Sequence, residues 1–545
     1  MPRVLALFLL APTLWGCPQS KAPPAPTSRL TFGITAEPDS LCPLFSEGAP
    51  AAEVQGLLFR ELVQRDASWR LVPDLADKVP VLGQDAVIVD QKLRVHWRIK
   101  ADARWSDNTP VSADDFLAAL ALMRDPRAEI TAGRDIVDKL EALFPDADRR
   151  GFTAVWREVY PGFAEPRVHR ALPAHLVTGK ELKRDPFCRH PIGNGPFSLV
   201  DWVPGQHLRF ARNRAFVPRP HLDEVLVRIM PSTDVLASAL RSGEVDATFA
   251  VAGLSPLEAQ RVVQDAPDRL VAHRGRGNLW VHMDFNLDDP WLKDIRLRRA
   301  IALAIDRQGL LRGIFGDAYV VADSYLPTWH PHYSPTPPLP FDPQQARRLL
   351  DDAGWLLPPG GSVRENARGE RLALQLAAAS GQKDSEQLLA LVQAALGDVG
   401  IEVSLDLKPF KVFFGENARR RKLPHLAFYG WNIDPGIAGG NLWRKDRIPS
   451  ADNGFVGQNL PGWRDDEVTR WLLEADATLD EGIRRARIAA VQARFADALP
   501  AVPFYFRPPI VVAQRGVTGL LPTGTLTPLA FGAATWSRTY TSPLR

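Results

Sequence analysis

The sequence predicts a mixed α/β protein of two or more lobes, and three observations carry that expectation. The chain has 545 residues, more than one hydrophobic core usually accommodates, so it should divide into domains. Segments that alternate apolar and polar residues return repeatedly between segments of helical period. These runs are interrupted and resumed, the pattern that lobes joined by crossing strands would produce. Composition agrees: 45% hydrophobic residues and 15 tryptophans describe a chain able to bury a core rather than a disordered one. A formal net charge of +3 is too small to imply nucleic acid as a partner.

In chain order, Met1-Pro2-Arg3 supplies one positive charge, an apolar run extends from Val4 to Trp15, and Gly16-Cys17 ends it, which is the layout of an export signal. The run is too short for a membrane span, which needs about 20 residues. Leu14-Trp15-Gly16-Cys17 resembles a bacterial lipobox, implying cleavage before Cys17 and lipid on that thiol; an ordinary signal peptide cut elsewhere is the alternative. The proline-rich stretch 18–28 reads as a semi-rigid tether. Leu30 to Thr35 alternates as a strand until Glu37-Pro38-Asp39-Ser40 breaks it. Ala51 to Val63 looks helical. Leu93, Val95, Trp97 and Ile99 fall on one face of a strand, with Arg94, His96 and Arg98 on the other. Ser112 is placed to cap the next helix, with Asp115 in the reciprocal position and Phe116, Leu120 and Met123 at helical spacing.

Gly193-Asn194-Gly195-Pro196 lacks the third glycine of a dinucleotide loop and is followed by a strand pattern, Phe197 to Trp202; Gly275-Arg276-Gly277 fails in the same way. Gly243 should close a helix in left-handed backbone. Asp342-Pro343 opens a helix striped by Ala346, Leu349, Leu350 and Ala353 and ended at Gly354. A helix from Gln387 to Leu396, a strand from Ile401 to Leu407, and a helix carrying Ile488, Val491, Phe495 and Leu499 follow. Pro503 to Phe506 and Ile510 to Ala513 read as the last strands.

Three segments occur in a telling order: Arg98 to Asp115 with Trp105, Asp107 and Pro110; Pro191 to Phe197 with its two glycines; and Phe285-Asn286 followed by Arg296 to Arg307 with Arg298, Ala300 and Asp306. Together they resemble the extracytoplasmic solute-binding proteins of family 5, the peptide and nickel class of receptors that feed ABC importers. The resemblance spans nearly everything from Leu30 to Tyr540. It implies a two-lobed, periplasmic-binding-protein-like α/β fold of type II, with mixed sheets flanked by helices and an inserted subdomain. On that reading, residues 1–17 are the lipoprotein signal and 18–28 the tether. Lobe I is assembled from 29–65, 191–282 and 507–545, the subdomain is 66–190, and lobe II is 283–506. The crossings then lie near Asp284-Phe285-Asn286 and Phe504-Tyr505-Phe506, with Phe285, Asn286 and Tyr505 as hinge residues.

The implied activity is capture of di- or oligopeptides in the interlobe cleft and delivery to a permease, without catalysis and without a cofactor. A non-peptide solute such as a nickel chelate, haem or an oligosaccharide is the alternative, and a hydrolase of unknown class a more distant one. In the peptide-binding branch an aspartate after a Gly-Trp dipeptide anchors the ligand's ammonium group, and here Gly430-Trp431-Asn432-Ile433-Asp434 points to Asp434. A structural Asp-Pro turn is the other reading of that residue. Tyr429, Trp431 and Asn432 are expected on the cleft wall, with Glu37 and Ser40 as further candidates by position. The partners implied are a peptide or other small solute, the ABC permease and ATPase subunits, and the membrane through lipid on Cys17; the protein itself is expected to be a monomer, exported and anchored in the cell envelope, facing the periplasm or the cell exterior. Beyond Cys17 only Cys42 and Cys188 remain, and an oxidising compartment permits them to pair. Arg419-Arg420-Arg421-Lys422 reads as a solvated helix end or an anion grip. His330 and His332 lack the neighbouring ligands a metal needs, so no metal site is assigned.

Overall fold

The computed structural model describes residues 28–46, 49–128, 130, 133–166, 168–182, 185–433, 436, 439–523 and 529–539. Cys17, the expected signal and most of the tether lie outside these, as does Asp434. No helix among the described residues is long and apolar enough to cross a membrane.

Three sheets organise the chain. Arg29–Ile34, whose last five residues are all buried, sits inside a seven-stranded sheet that runs Leu270–Arg274, Ile510–Gln514, Ala247–Thr248, Arg29–Ile34, Glu224–Ile229, His207–Arg212, Phe197–Val203. Its strands therefore come from the start, the middle and the end of the chain. A second, five-stranded sheet runs Glu402–Lys408, Ala373–Ala379, Leu426–Asn432, Leu279–Phe285, Ala501–Arg507. Helices pack on both of its faces. Ile295–Leu303, Arg307–Phe315 and Lys383–Gly397 share one core with Phe285 and Phe504, whereas Trp280 packs with Phe495 of Glu481–Ala498 on the opposite side. The third sheet has four strands, Ala86–Val89, Lys92–Arg98, Gly151–Trp156 and Leu140–Pro145. There Leu93, Val95 and Trp97 are buried and Arg94 and His96 exposed, as a period of two dictates.

Local sequence explains the element ends. Asp115 accepts the Ser112 N–H at 2.8 Å, closing the capping box, and also receives the Trp105 indole N–H at 3.0 Å and the Ala174 N–H at 2.8 Å. Asp342 accepts the Gln345 N–H at 2.8 Å with Pro343 at the first helical position. Gly243 ends its helix at a φ of +84°, where a side chain would be strained. The Gly193 to Gly195 segment brings the chain back beneath helix Ala49–Leu58: Gly195 N–H bonds the Leu58 carbonyl at 2.7 Å, and a Cβ on Gly193 would lie 2.0 Å from that oxygen. Close backbone approach, not phosphate, is what these glycines serve.

The passages between the two large sheets differ from expectation. Leu279–Phe285 pairs along its whole length with Leu426–Asn432 and, through a bulge, with Ala501–Arg507, so Phe285 and Asn286 lie at its far end and Tyr505 lies inside lobe II. The chain crosses at 275–278 and 508–509 instead. Gly275 N–H bonds the Pro509 carbonyl at 3.0 Å, and a Cβ on Gly277 would stand 2.5 Å from the Arg507 carbonyl oxygen. The two connectors touch backbone to backbone, and only glycine leaves room for that.

Candidate functional site

Strand direction brings the carboxyl ends of several strands to one edge of each large sheet. Ala373–Ala379 runs parallel to Glu402–Lys408 and to Leu426–Asn432, and Leu279–Phe285 is antiparallel to both Leu426–Asn432 and Ala501–Arg507. The carboxyl ends at Ala379, Lys408, Asn432 and Arg507 therefore share the edge from which the connectors leave for lobe I. In lobe I, Arg29–Ile34 and Glu224–Ile229 are parallel, and their carboxyl ends likewise point toward the crossing. Crevices outside the carboxyl ends of strands are where open α/β sheets bind ligands.

A cavity of about 620 Å³ opens at this edge of lobe II, within the 300–1,000 Å³ range typical of small-molecule sites. Aromatic rings form much of its wall: Trp431 faces Phe414 at 6.0 Å and Tyr429 at 5.6 Å, and Phe410 lies 4.6 Å from Phe414. Polar groups converge from Gln382, Ser385, Asn432 and Gln458, and cationic ones from Arg419 and Arg507. Among the described residues of the lining there is no carboxylate.

Beneath the aromatic wall runs a buried polar chain. The Tyr429 hydroxyl donates to Asp284, whose carboxylate is also 3.3 Å from His282 Nε2. The His282 ring stacks on Trp280 with centroids 3.7 Å apart, and its Nδ1 is 3.2 Å from the Trp280 carbonyl. Burial, reinforced by the neighbouring Asp284 charge, holds the Tyr429 phenol well above its ordinary range. Tyr429 thus offers the cavity a ring, while its hydroxyl is spent inward. Tyr505 also lines the cavity; burial pushes its phenol up to about 12.

Of the residues singled out from sequence, the cavity gathers Tyr429, Trp431, Asn432 and Tyr505. Asn286 sits elsewhere, donating to the Leu423 carbonyl at 3.3 Å and accepting the Asp288 N–H at 3.1 Å; it holds a turn. Glu37 accepts the Trp202 indole N–H at 2.8 Å and the Gly205 N–H at 3.1 Å, and Ser40 Oγ accepts the Cys42 N–H at 3.1 Å, so both are committed within lobe I. The basic run divides: Arg419 lines the cavity, whereas Arg421 bonds the Leu460 carbonyl and pairs with Asp288 at 2.7 Å. His332 pairs with Glu481 at 2.8 Å. Phe410, Phe414, Arg507 and Gln382 were not singled out from sequence; the position of Arg507 at a strand's carboxyl end was the available signal.

The two halves also meet directly. Asp384, in the first turn of Lys383–Gly397, hydrogen-bonds Ser255, the N-cap of Pro256–Asp265 in lobe I, and burial lifts its carboxyl above the usual range. Trp69, whose indole donates to the Thr523 carbonyl at 3.0 Å, meets Trp329 of lobe II with ring centroids 3.7 Å apart.

Two lobes joined by paired connectors, with a lined cavity in lobe II at the edge where those connectors leave, match the architecture of a periplasmic binding protein. The chain belongs to the bacterial extracellular solute-binding proteins, family 5, whose middle-region model matches residues 70–446. The oligopeptide-binding protein AppA of Bacillus subtilis is 23% identical over 528 residues, covering 92% of this chain and 91% of its own. The fold is shared with the oligopeptide-binding protein of Thermus thermophilus complexed with a pentapeptide, at a TM-score of 0.76, 23% identity and coverage of 94% and 96% of the two chains. It is shared too with NikZ of Campylobacter jejuni in complex with Ni(L-His), at a TM-score of 0.77, 20% identity and coverage of 94% and 100%.

Proposed function

We propose that this protein captures a short peptide between its lobes and surrenders it, chemically unchanged, to an ABC permease. The observation that carries this reading is the cavity at the strands' carboxyl ends, where backbone edges and amide side chains can serve a peptide's donors and acceptors while aromatic walls take its side chains. Export and lipid anchoring through Cys17 belong to the same reading and rest on the sequence of residues 1–17. Asp434, which follows Trp431 and Asn432, is proposed as the anion for the peptide's ammonium group. Asp434→Ala should weaken a free-amine peptide far more than its N-acetylated form, because only the former leaves an unpaired charge in a desolvated cleft. Equal losses by calorimetric titration would remove that role.

A second reading has its own observation. Two arginines line the cavity and no described lining residue is acidic, which favours a ligand rich in carboxylates, such as an anionic metal chelate. Arg507→Gln should then weaken binding of such a ligand by about 1.5–3 kcal/mol, roughly tenfold or more in Kd, and leave a neutral peptide almost untouched. Native mass spectrometry of freshly purified protein distinguishes the two through the mass of whatever it carries. Recovery of a cleaved ligand would overturn both.

A further inference from the structure

The loop that follows the first strand is fastened from several sides. The buried Gln55 amide donates to the carbonyls of Ser40, Cys42 and Ser46 at 3.3, 3.3 and 3.4 Å, and Ser46 Oγ donates to Asp39. From the inserted subdomain, Arg170 donates to the Pro43 carbonyl. Against this loop lies the short turn Pro186–Cys188, where the chain leaves the subdomain. The Leu41 N–H bonds the Cys188 carbonyl at 3.4 Å, and the Cys42 and Cys188 thiols are in hydrogen-bond contact. Cys42 is fully buried, Cys188 is partly exposed, and both are free. The chain has 3 cysteines, and the third, Cys17, lies in the expected signal.

We propose that Cys42 and Cys188 form a disulfide that ties the exit of the subdomain to lobe I. The proposal rests on the exported location argued above, since such bonds persist in oxidising compartments. A backbone hydrogen bond one residue away holds the two chains side by side with the thiols in contact, the proximity that bond formation needs. Cys188, the more exposed of the two, gives up its proton and attacks the disulfide of a thiol oxidase, forming a mixed disulfide and releasing one oxidase thiolate. Cys42, adjacent to Cys188, then loses its proton, attacks Cys188 Sγ and expels the second. Both protein thiols lose their protons, two electrons pass to the oxidase, and the oxidase leaves as a dithiol. The bond closes a loop that contains nearly all of the subdomain, which restricts the unfolded chain and disfavours detachment of the subdomain from lobe I.

The test is peptide mapping of the full chain after alkylation without reductant. In protein recovered from the cell envelope, the peptides holding Cys42 and Cys188 should appear linked, lighter by two hydrogens than their thiol forms together. Reduction should lower the thermal unfolding midpoint by several degrees, and Cys188→Ser should match the reduced protein. Oxidised glutathione applied to the purified native chain separates the premises: linkage there, with alkylated thiols in the cell, supports the pairing and counts against export. Alkylation of both thiols under both conditions, or a midpoint indifferent to reductant in the linked protein, overturns the proposal.

Discussion

His169 shows how one side chain can set a pH dependence far from the site. Its ring is enclosed by Trp97, Phe152 and Trp156 at centroid distances of 5.8, 5.7 and 5.7 Å, and burial lowers its pKa to about 3. Unfolded, it would titrate near 6.5, so between those values only the unfolded chain takes up the proton, and stability must fall as pH drops from about 6.5 toward 3. Glu53 runs the other way. Burial lifts its carboxyl to about 7, even though it accepts three backbone N–H bonds from Ala250, Val251 and Ala252. Its neutral form stabilises the fold below about 4.5, and that contribution is lost as pH rises through 7. The His169 slope, up to about 1.4 kcal/mol per pH unit, is therefore best read as the difference between the native protein and His169→Leu in urea titrations at about pH 7 and pH 4. A variant with the native slope would refute the assignment. At this scale the sequence was partly legible. The Gly-Trp dipeptide pointed to Trp431, but nothing local showed that the Tyr429 hydroxyl turns away toward Asp284, a partner 145 residues distant.

Among the elements, capping residues and alternation were readable because their physics is local: Ser112 with Asp115, Asp342 with Pro343, and Leu93 through Ile99 each fix a boundary or a face within a few residues. The crossings were not. Leu279–Phe285 is buried from Trp280 onward on both faces, so its run carries no period of two to show where one sheet hands over to the next. The marker lay instead in Gly275, Gly277, Pro508 and Pro509, whose tertiary contacts are invisible in one dimension. Gly277→Ala puts a methyl against the Arg507 carbonyl and should destabilise the fold by about 1–3 kcal/mol, seen as a lower denaturant midpoint. Phe285→Leu, at the far end of the strand, should cost about as much in stability but leave ligand affinity alone. If Phe285→Leu rather than Gly277→Ala altered affinity, the crossings would be misplaced.

For the whole molecule, the order of three short segments was enough to suggest the two-lobed fold, because that order reflects how the chain leaves and re-enters one sheet. The contacts between the halves were not legible, since they join surfaces distant in sequence. Asp384 with Ser255 and Trp69 with Trp329 join the halves directly, so they compete with opening whether or not a solute is present. Asp384→Ala should shift the population toward the open form and weaken ligand by the share of binding energy then spent on closing. Small-angle scattering should show a larger radius of gyration without ligand and recovery at saturation. Trp69 and Trp329 also give the molecule an optical signature. Indoles this close share their excitations, so the shut state should carry a bisignate circular-dichroism couplet that fades as the rings part, letting the swing of the halves be followed by polarised light without attaching a dye.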